Sequence, residues 1–91
     1  MISNQKQVVF NQLRGVISEI NLEPDYCSIT LEVGHSNKRN VNLCAKAIYF
    51  EQMIQSIELG DKVNVQFYIS SNKKHNRWYT TANLLSLEKE N

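Results

Sequence analysis

"KAIYFEQMIQSIELG", residues 46–60, has a different period from everything around it. Ala47, Phe50, Ile54 and Ile57 recur at spacings of three and four, with Gln52, Gln55 and Ser56 between them, which predicts one short helix over 46–58. Leu59-Gly60 ends it, because glycine is favoured just past a helix C-terminus. On both sides the period is two. NVNLCA (40–45) puts Val41, Leu43 and Ala45 on one face and Asn40, Asn42 and Cys44 on the other. DKVNVQFYIS (61–70) does the same with Val63, Val65, Phe67 and Ile69 against Lys62, Asn64, Gln66 and Tyr68. The helix therefore stands between two strands.

Working outward, CSITLEV (27–33) alternates without a fault, and GHSNKRN (34–40) supplies Gly and Asn for a hairpin into the next strand. Glu23-Pro24-Asp25 reads as a turn, since Pro24 has no N–H to give to a ladder. VVFNQLRGVISEINL (8–22) is rich in β-branched residues but has no helical stripe, and Gly15 inside it predicts a strand that bends or bulges. SNKKHNRWYTTANLLSL (71–87) divides into a polar loop over 71–77 and a last strand from Trp78 to Leu87. The order is strand, strand, strand, helix, strand, strand. This predicts an all-β fold with one helix: a five-stranded Greek-key OB-fold barrel with the helix between strands 3 and 4. In such a barrel the first strand pairs on both sides, with Gly15 at the kink. The helix plugs the open end with Phe50, Ile54 and Ile57. The expectation is one domain over residues 1–91, with its core within about 8–87.

The bulk numbers narrow the function classes. A chain of 91 residues that is 42% hydrophobic and 21% charged is in the range of ordinary globular domains. No apolar run approaches the ~20 residues of a membrane span. MISNQKQ at the start lacks the profile of a secretory signal, which predicts a cytoplasmic protein. Cys27 and Cys44 have no metal-ligand or scaffold spacing and read as buried or half-buried thiols. With only His35 and His75 beside them, no metal site and no cofactor are expected. No nucleophile elbow, phosphate loop or H-E-x-x-H is present, so the chain reads as a binding module and not an enzyme.

The blocks "LRGVISEINLEPDY", "ITLEV", "VNLCAKA", "LGDKVNVQFYI" and "RWYTTANLLSL", spread over about residues 13–87, resemble the bacterial single-stranded-DNA-binding protein family. The Gly-Asp before an alternating strand and the R-x-Y-T-T of the last strand resemble that family's fourth and fifth strands. The resemblance implies sequence-nonspecific binding of single-stranded DNA, or of RNA, by stacked bases and threaded phosphates. One 91-residue barrel offers few nucleotides of track, so a homo-oligomer, a dimer or tetramer, is expected. On the outward face of strands 2 and 3, where that family tends to present aromatics, this chain has Ser28, Thr30, Asn40, Asn42 and Cys44.

Charge distribution points to the same ligand. The net charge is only +1, but between Lys62 and Leu87 there are four cations and no carboxylate, and Lys38, Arg39 and Lys46 form a second run without acids. Lysine and arginine neutralise phosphates, and an aromatic face stacks a base. The candidate nucleic-acid residues are therefore Lys38, Arg39, Asn42, Lys73, Lys74, Arg77 and Trp78. Equally, Lys and Asn dominate turns that are merely solvated. Trp78 and Tyr79 point to opposite faces of a regular strand. Leu85 and Leu87 share the Tyr79 side and mark it as core, which leaves Trp78 outward. Tyr49 on the helix is expected to pack. Tyr68, opposite the apolar face of its strand, is a candidate subunit or partner interface. The competing reading is an OB-fold protein-interaction module with no nucleic-acid role.

Overall fold

The computed structural model describes residues 10–90; Val8 and Val9, expected to open the first strand, lie outside the described residues. Five strands close into a barrel in the order β1-β2-β3-β5-β4. They are β1 (Asn11–Asn21), β2 (Tyr26–Val33), β3 (Arg39–Lys46), β4 (Lys62–Lys74) and β5 (Arg77–Lys89), with the helix α1 (Ala47–Met53) between β3 and β4. This is the expected OB-fold architecture. No helix among the described residues is long and apolar enough to cross a membrane.

The first strand serves two neighbours in succession. Asn11 to Val16 pair with Phe67 to Lys62 of β4, and Val16 to Asn21 pair with Glu32 to Ser28 of β2. Gly15 stands at the change-over. A Cβ there would lie 2.9 Å from the Glu32 carbonyl oxygen and 3.2 Å from Leu31 Cβ, so the close approach of β2 admits glycine. The bulge falls three residues later than this glycine, at Ser18, which has no partner between the Ile17–Leu31 and Glu19–Thr30 pairs. An extra residue reverses the inward phase. Leu13 and Ile17 pack inward before the bulge and Ile20 after it, which is why the stretch lacks a clean alternation.

β2 and β3 follow their predicted faces. Cys27, Ile29, Leu31 and Leu43 are buried, with Val41 and Ala45 packed against them. Phe50 and Ile57 complete the core from the helical segment, with Ala47, Met53 and Ile54 beside them.

The helix is shorter than its period predicts. It stops at Met53, and Ile57 reaches the core from a turn in which its N–H bonds the Ile54 carbonyl at 3.3 Å. The helix has no side-chain cap, no acid in its first turn and no base in its last, so little holds a longer one together. Against it works the need to bring Gly60 and Asp61 onto β1. The Gly60 N–H donates to the Ile17 carbonyl at 2.8 Å, and the Ile17 N–H donates to the Asp61 carbonyl at 3.0 Å. Gly60, with φ of 91°, is therefore a turn residue at the entry to β4 and not the helix C-cap. Tyr49 does not pack; it is exposed.

Gly15→Ala should destabilise the barrel by about 1–3 kcal/mol, the cost of forcing a methyl group into filled space. Urea unfolding followed by circular dichroism measures it; a midpoint equal to that of the natural chain would refute the close-approach role.

Candidate nucleic-acid interface

β4 and β5 run well past the barrel wall. The polar loop expected over 71–77 is absent: the ladder continues to the Lys74–Arg77 pair, leaving His75 and Asn76 as the whole connection. Both have positive φ, 50° and 64°, as a two-residue hairpin turn matched to strand twist requires. Every residue from Ser71 to Thr80 is exposed. A hairpin without a core behind it carries no hydrophobic alternation, which is why its sequence reads as a loop.

A second bulge sets the faces of this arm. Gln66 pairs with Ser86 and Phe67 with Leu84, so Leu85 is the extra residue of β5. Leu84 and Ala82 before it and Leu87 after it all pack inward, whereas Leu85 is 39% exposed. The expectation that Leu85 and Leu87 mark one core face is thereby overturned. Trp78 has the inward phase of Ala82 and Leu84, but lies beyond the barrel and is 68% exposed; Tyr79, on the opposite face, is 50% exposed. Neither ring is buried. Ile69, expected on the core face, is exposed for the same reason.

The predicted residues fall into three groups. Lys73, Lys74, Arg77 and Trp78 come together on the arm. Lys73 pairs directly with Trp78, and its Nζ lies 5.9 Å from the ring centroid, a cation–π distance that presents charge and indole together. Among the described residues, none of the three arm cations is in an ion pair.

Lys38 and Arg39 occupy the β2–β3 hairpin. The single β3–β5 pair, Cys44 with Asn83, is parallel, so stepping back five residues along each strand reaches Arg39 and Trp78. The two basic hairpins therefore leave the barrel in the same direction, away from the end to which β3 delivers the helix. Lys38 is engaged with Glu32 at 3.3 Å, an exposed pair with little hold on it.

Asn42 stands apart. Its side-chain amide donates to Thr30 Oγ1 at 2.9 Å and to the Ile29 carbonyl at 3.3 Å; Thr30 in turn donates to Glu19 Oε1 at 3.4 Å, as does the Asn21 amide at 2.9 Å. This relay across β3, β2 and β1 ends on a carboxylate and makes the wall of strands 2 and 3 unattractive to phosphate.

Tyr68 is half-buried on the outward face of β4, opposite Asn83. The Asn83 amide bonds the Tyr68 carbonyl, Ser70 Oγ and the Thr81 carbonyl, holding the arm's root beside the β3–β5 seam. Cys44 across that seam is half-buried, and burial pushes its thiol above the ordinary range, toward the unreactive protonated form. Cys27 is buried, and its thiol bonds the Glu23 carbonyl at 3.5 Å. Among the described residues no group of three His, Cys, Asp or Glu side chains is placed to hold a metal ion. Periodicity puts both Trp78 and Tyr79 on the wrong side of the strand; the signal that would have found their phase, the bulge at Leu85, has no mark in the sequence.

By sequence, the chain matches no protein-family model and no curated protein. By structure it is similar to a mitochondrial single-stranded DNA binding protein from S. cerevisiae, with TM-score 0.73 and 9% identity over 91% of this chain and 96% of that one. A small single-stranded DNA-binding protein from Streptomyces coelicolor aligns with TM-score 0.61 and 12% identity over 93% and 96%. The dimeric N-terminal domain of PriB protein from Thermoanaerobacter tencongensis aligns with TM-score 0.63 and 18% identity over 90% and 96%. The shared feature is the OB-fold as these small DNA-binding proteins build it.

His75→Asn combined with Asn76→Gly should stabilise the arm by roughly 1 kcal/mol, because both positions hold left-handed backbone that costs an L-residue energy. Slower amide hydrogen exchange at Lys74 and Arg77 would report it. Unchanged exchange there would show that the tip is not what limits the ladder.

Proposed function

We propose that this protein binds single-stranded DNA without sequence preference, through the β4–β5 arm assisted by the β2–β3 hairpin, and acts by binding and not by catalysis. The observation that carries the reading is the arm itself: an exposed Trp78 that Lys73 faces at 5.9 Å, on a hairpin whose remaining cations, Lys74 and Arg77, are like Lys73 free of carboxylates. Lysine and arginine release the counterions condensed on a phosphate backbone, and a base stacked on the indole adds about 1–3 kcal/mol whatever its identity. Nonspecificity follows, since both terms ignore base edges. The wall of strands 2 and 3, ending on Glu19, contributes little, so Asn42 is a structural residue in this reading and Arg39 an auxiliary phosphate contact. The single-stranded DNA-binding proteins among the structural neighbours support the proposal through the fold they share.

A self-associated form belongs to the same proposal. One small barrel offers a short track, and copies side by side lengthen it and raise the effective concentration of each site. Tyr68 on the outward face of β4 is the proposed contact, as a dimer or a tetramer. Light scattering of Tyr68→Ala should then give a smaller mass than the natural chain at equal concentration. An unchanged mass would exclude Tyr68 as the contact.

An oligo-dT of about thirty nucleotides should bind with an affinity that falls steeply with salt. Lys73→Ala with Lys74→Ala should lower the slope of log affinity against log salt by about 1.4, at roughly 0.7 per phosphate contact on a single strand. Trp78 is the sole tryptophan, so its fluorescence should be quenched on binding. Absence of binding at low salt would overturn the reading.

A further inference from the structure

Trp78 and Tyr79 are consecutive, so strand geometry sends their rings to opposite faces of the β4–β5 ribbon. Inside a barrel one such face is core. On this arm neither is, and each ring has polar company of its own. On the Trp78 face stand Lys73 and the Ser71–Thr80 hydroxyl pair, 3.0 Å apart. On the other face Tyr79 shares a shallow depression of about 310 Å³ with Asn72, Lys74, His75 and Thr81. Arg77, paired across the ladder with Lys74, has the same phase as Tyr79.

We propose that the arm is two-sided: the Trp78 face takes one segment of single-stranded DNA, and the Tyr79 face, with Lys74 and Arg77, is a second nucleotide-binding site that takes another. The inference rests on the single-stranded DNA reading and adds to it a second, separable contact. A base stacks on one face of one ring, and the ribbon's backbone stands between the two rings. A short strand held on Trp78 therefore leaves Tyr79 free. A long strand passes round the His75-Asn76 tip to meet both, or two separate strands are bridged by one chain. Charge complementarity selects a polyanion for the Tyr79 side over a second copy of the arm, because the copy would bring its own Lys74 and Arg77 against these. The relay ending on Glu19 sets a negative charge beside the competing track along β2 and β3.

The test is stoichiometry. The full chain is titrated calorimetrically at low salt with an oligo-dT of about four nucleotides, the short end of the range one OB-fold holds. Wild type should show two binding events per chain, of which the second should weaken about 5- to 150-fold in Tyr79→Ala. Trp78 quenching by the same oligonucleotide should be unaltered in Tyr79→Ala, which also shows that the variant is folded. Lys74→Ala with Arg77→Ala should weaken the same second event. A single binding event in wild type, a second event of equal affinity in wild type and Tyr79→Ala, or a parallel loss of Trp78 quenching would overturn the two-sided arm while leaving single-stranded DNA binding intact. Absence of binding to any oligo-dT would overturn the underlying reading instead.

Discussion

The barrel depends on one strand holding two neighbours. Val16 is at once the last partner of β4 and the first of β2, with Gly15 beside it to let β2 come close. Ile17 then carries the ladder onward, bonding Gly60 and Asp61 on one edge and pairing with Leu31 on the other. Without this double engagement the β1–β2–β3 meander and the β4–β5 hairpin would meet only along the β3–β5 seam, and the barrel would stand open with its apolar face to water. Closure buries Ile17, Ile29, Leu31, Leu43, Val63 and Val65 against one another and removes the long unpaired edges that invite aggregation.

The same closure orients the candidate site. β5 joins β3 in parallel through Cys44 and Asn83, and this direction makes the β2–β3 and β4–β5 hairpins rise from one end while the helix fills the other. Carboxylates are placed away from the arm. Glu19 closes the polar relay on the wall, and Glu90 and Asp61 neutralise Arg14 and Lys89 near the opposite end of β4. The arm keeps its positive charge because no acid lies in its sequence and none is folded onto it. A chain with a net charge of only +1 thus carries a concentrated cationic feature, which bulk composition conceals.

The parts of the fold that were legible are those where one periodicity runs uninterrupted. Cys27, Ile29 and Leu31 alternate in β2 and are buried; Phe50 and Ile57 recur at helical spacing and reach the core, although only Phe50 does so from the helix. The strands that misled are those with an extra residue. Ser18 reverses the phase of β1 and Leu85 that of β5, so Ile20 turns inward, Leu85 turns out and Tyr79 loses its apparent place in the core. A bulge is stabilised by the neighbouring strand's register and twist, and it leaves no compositional trace in its own strand.

By itself the sequence determined the element order, the fold class that this order implies, the inward faces of β2 and β3, and the clustering of cations from 73 to 77. Each of these is a local property: spacing along the chain, turn-forming residues, charge. Only the tertiary structure decided where the helix stops, which side of β5 is core, that the basic loop is an extended hairpin exposing both Trp78 and Tyr79, and that Asn42 is tied to Glu19. Those outcomes depend on hydrogen bonds between residues far apart in sequence, such as Gly60 to Ile17 and Asn42 to Thr30. They are long-range choices of register, and a chain's periodicity records which residues want to be buried but not which neighbour will bury them.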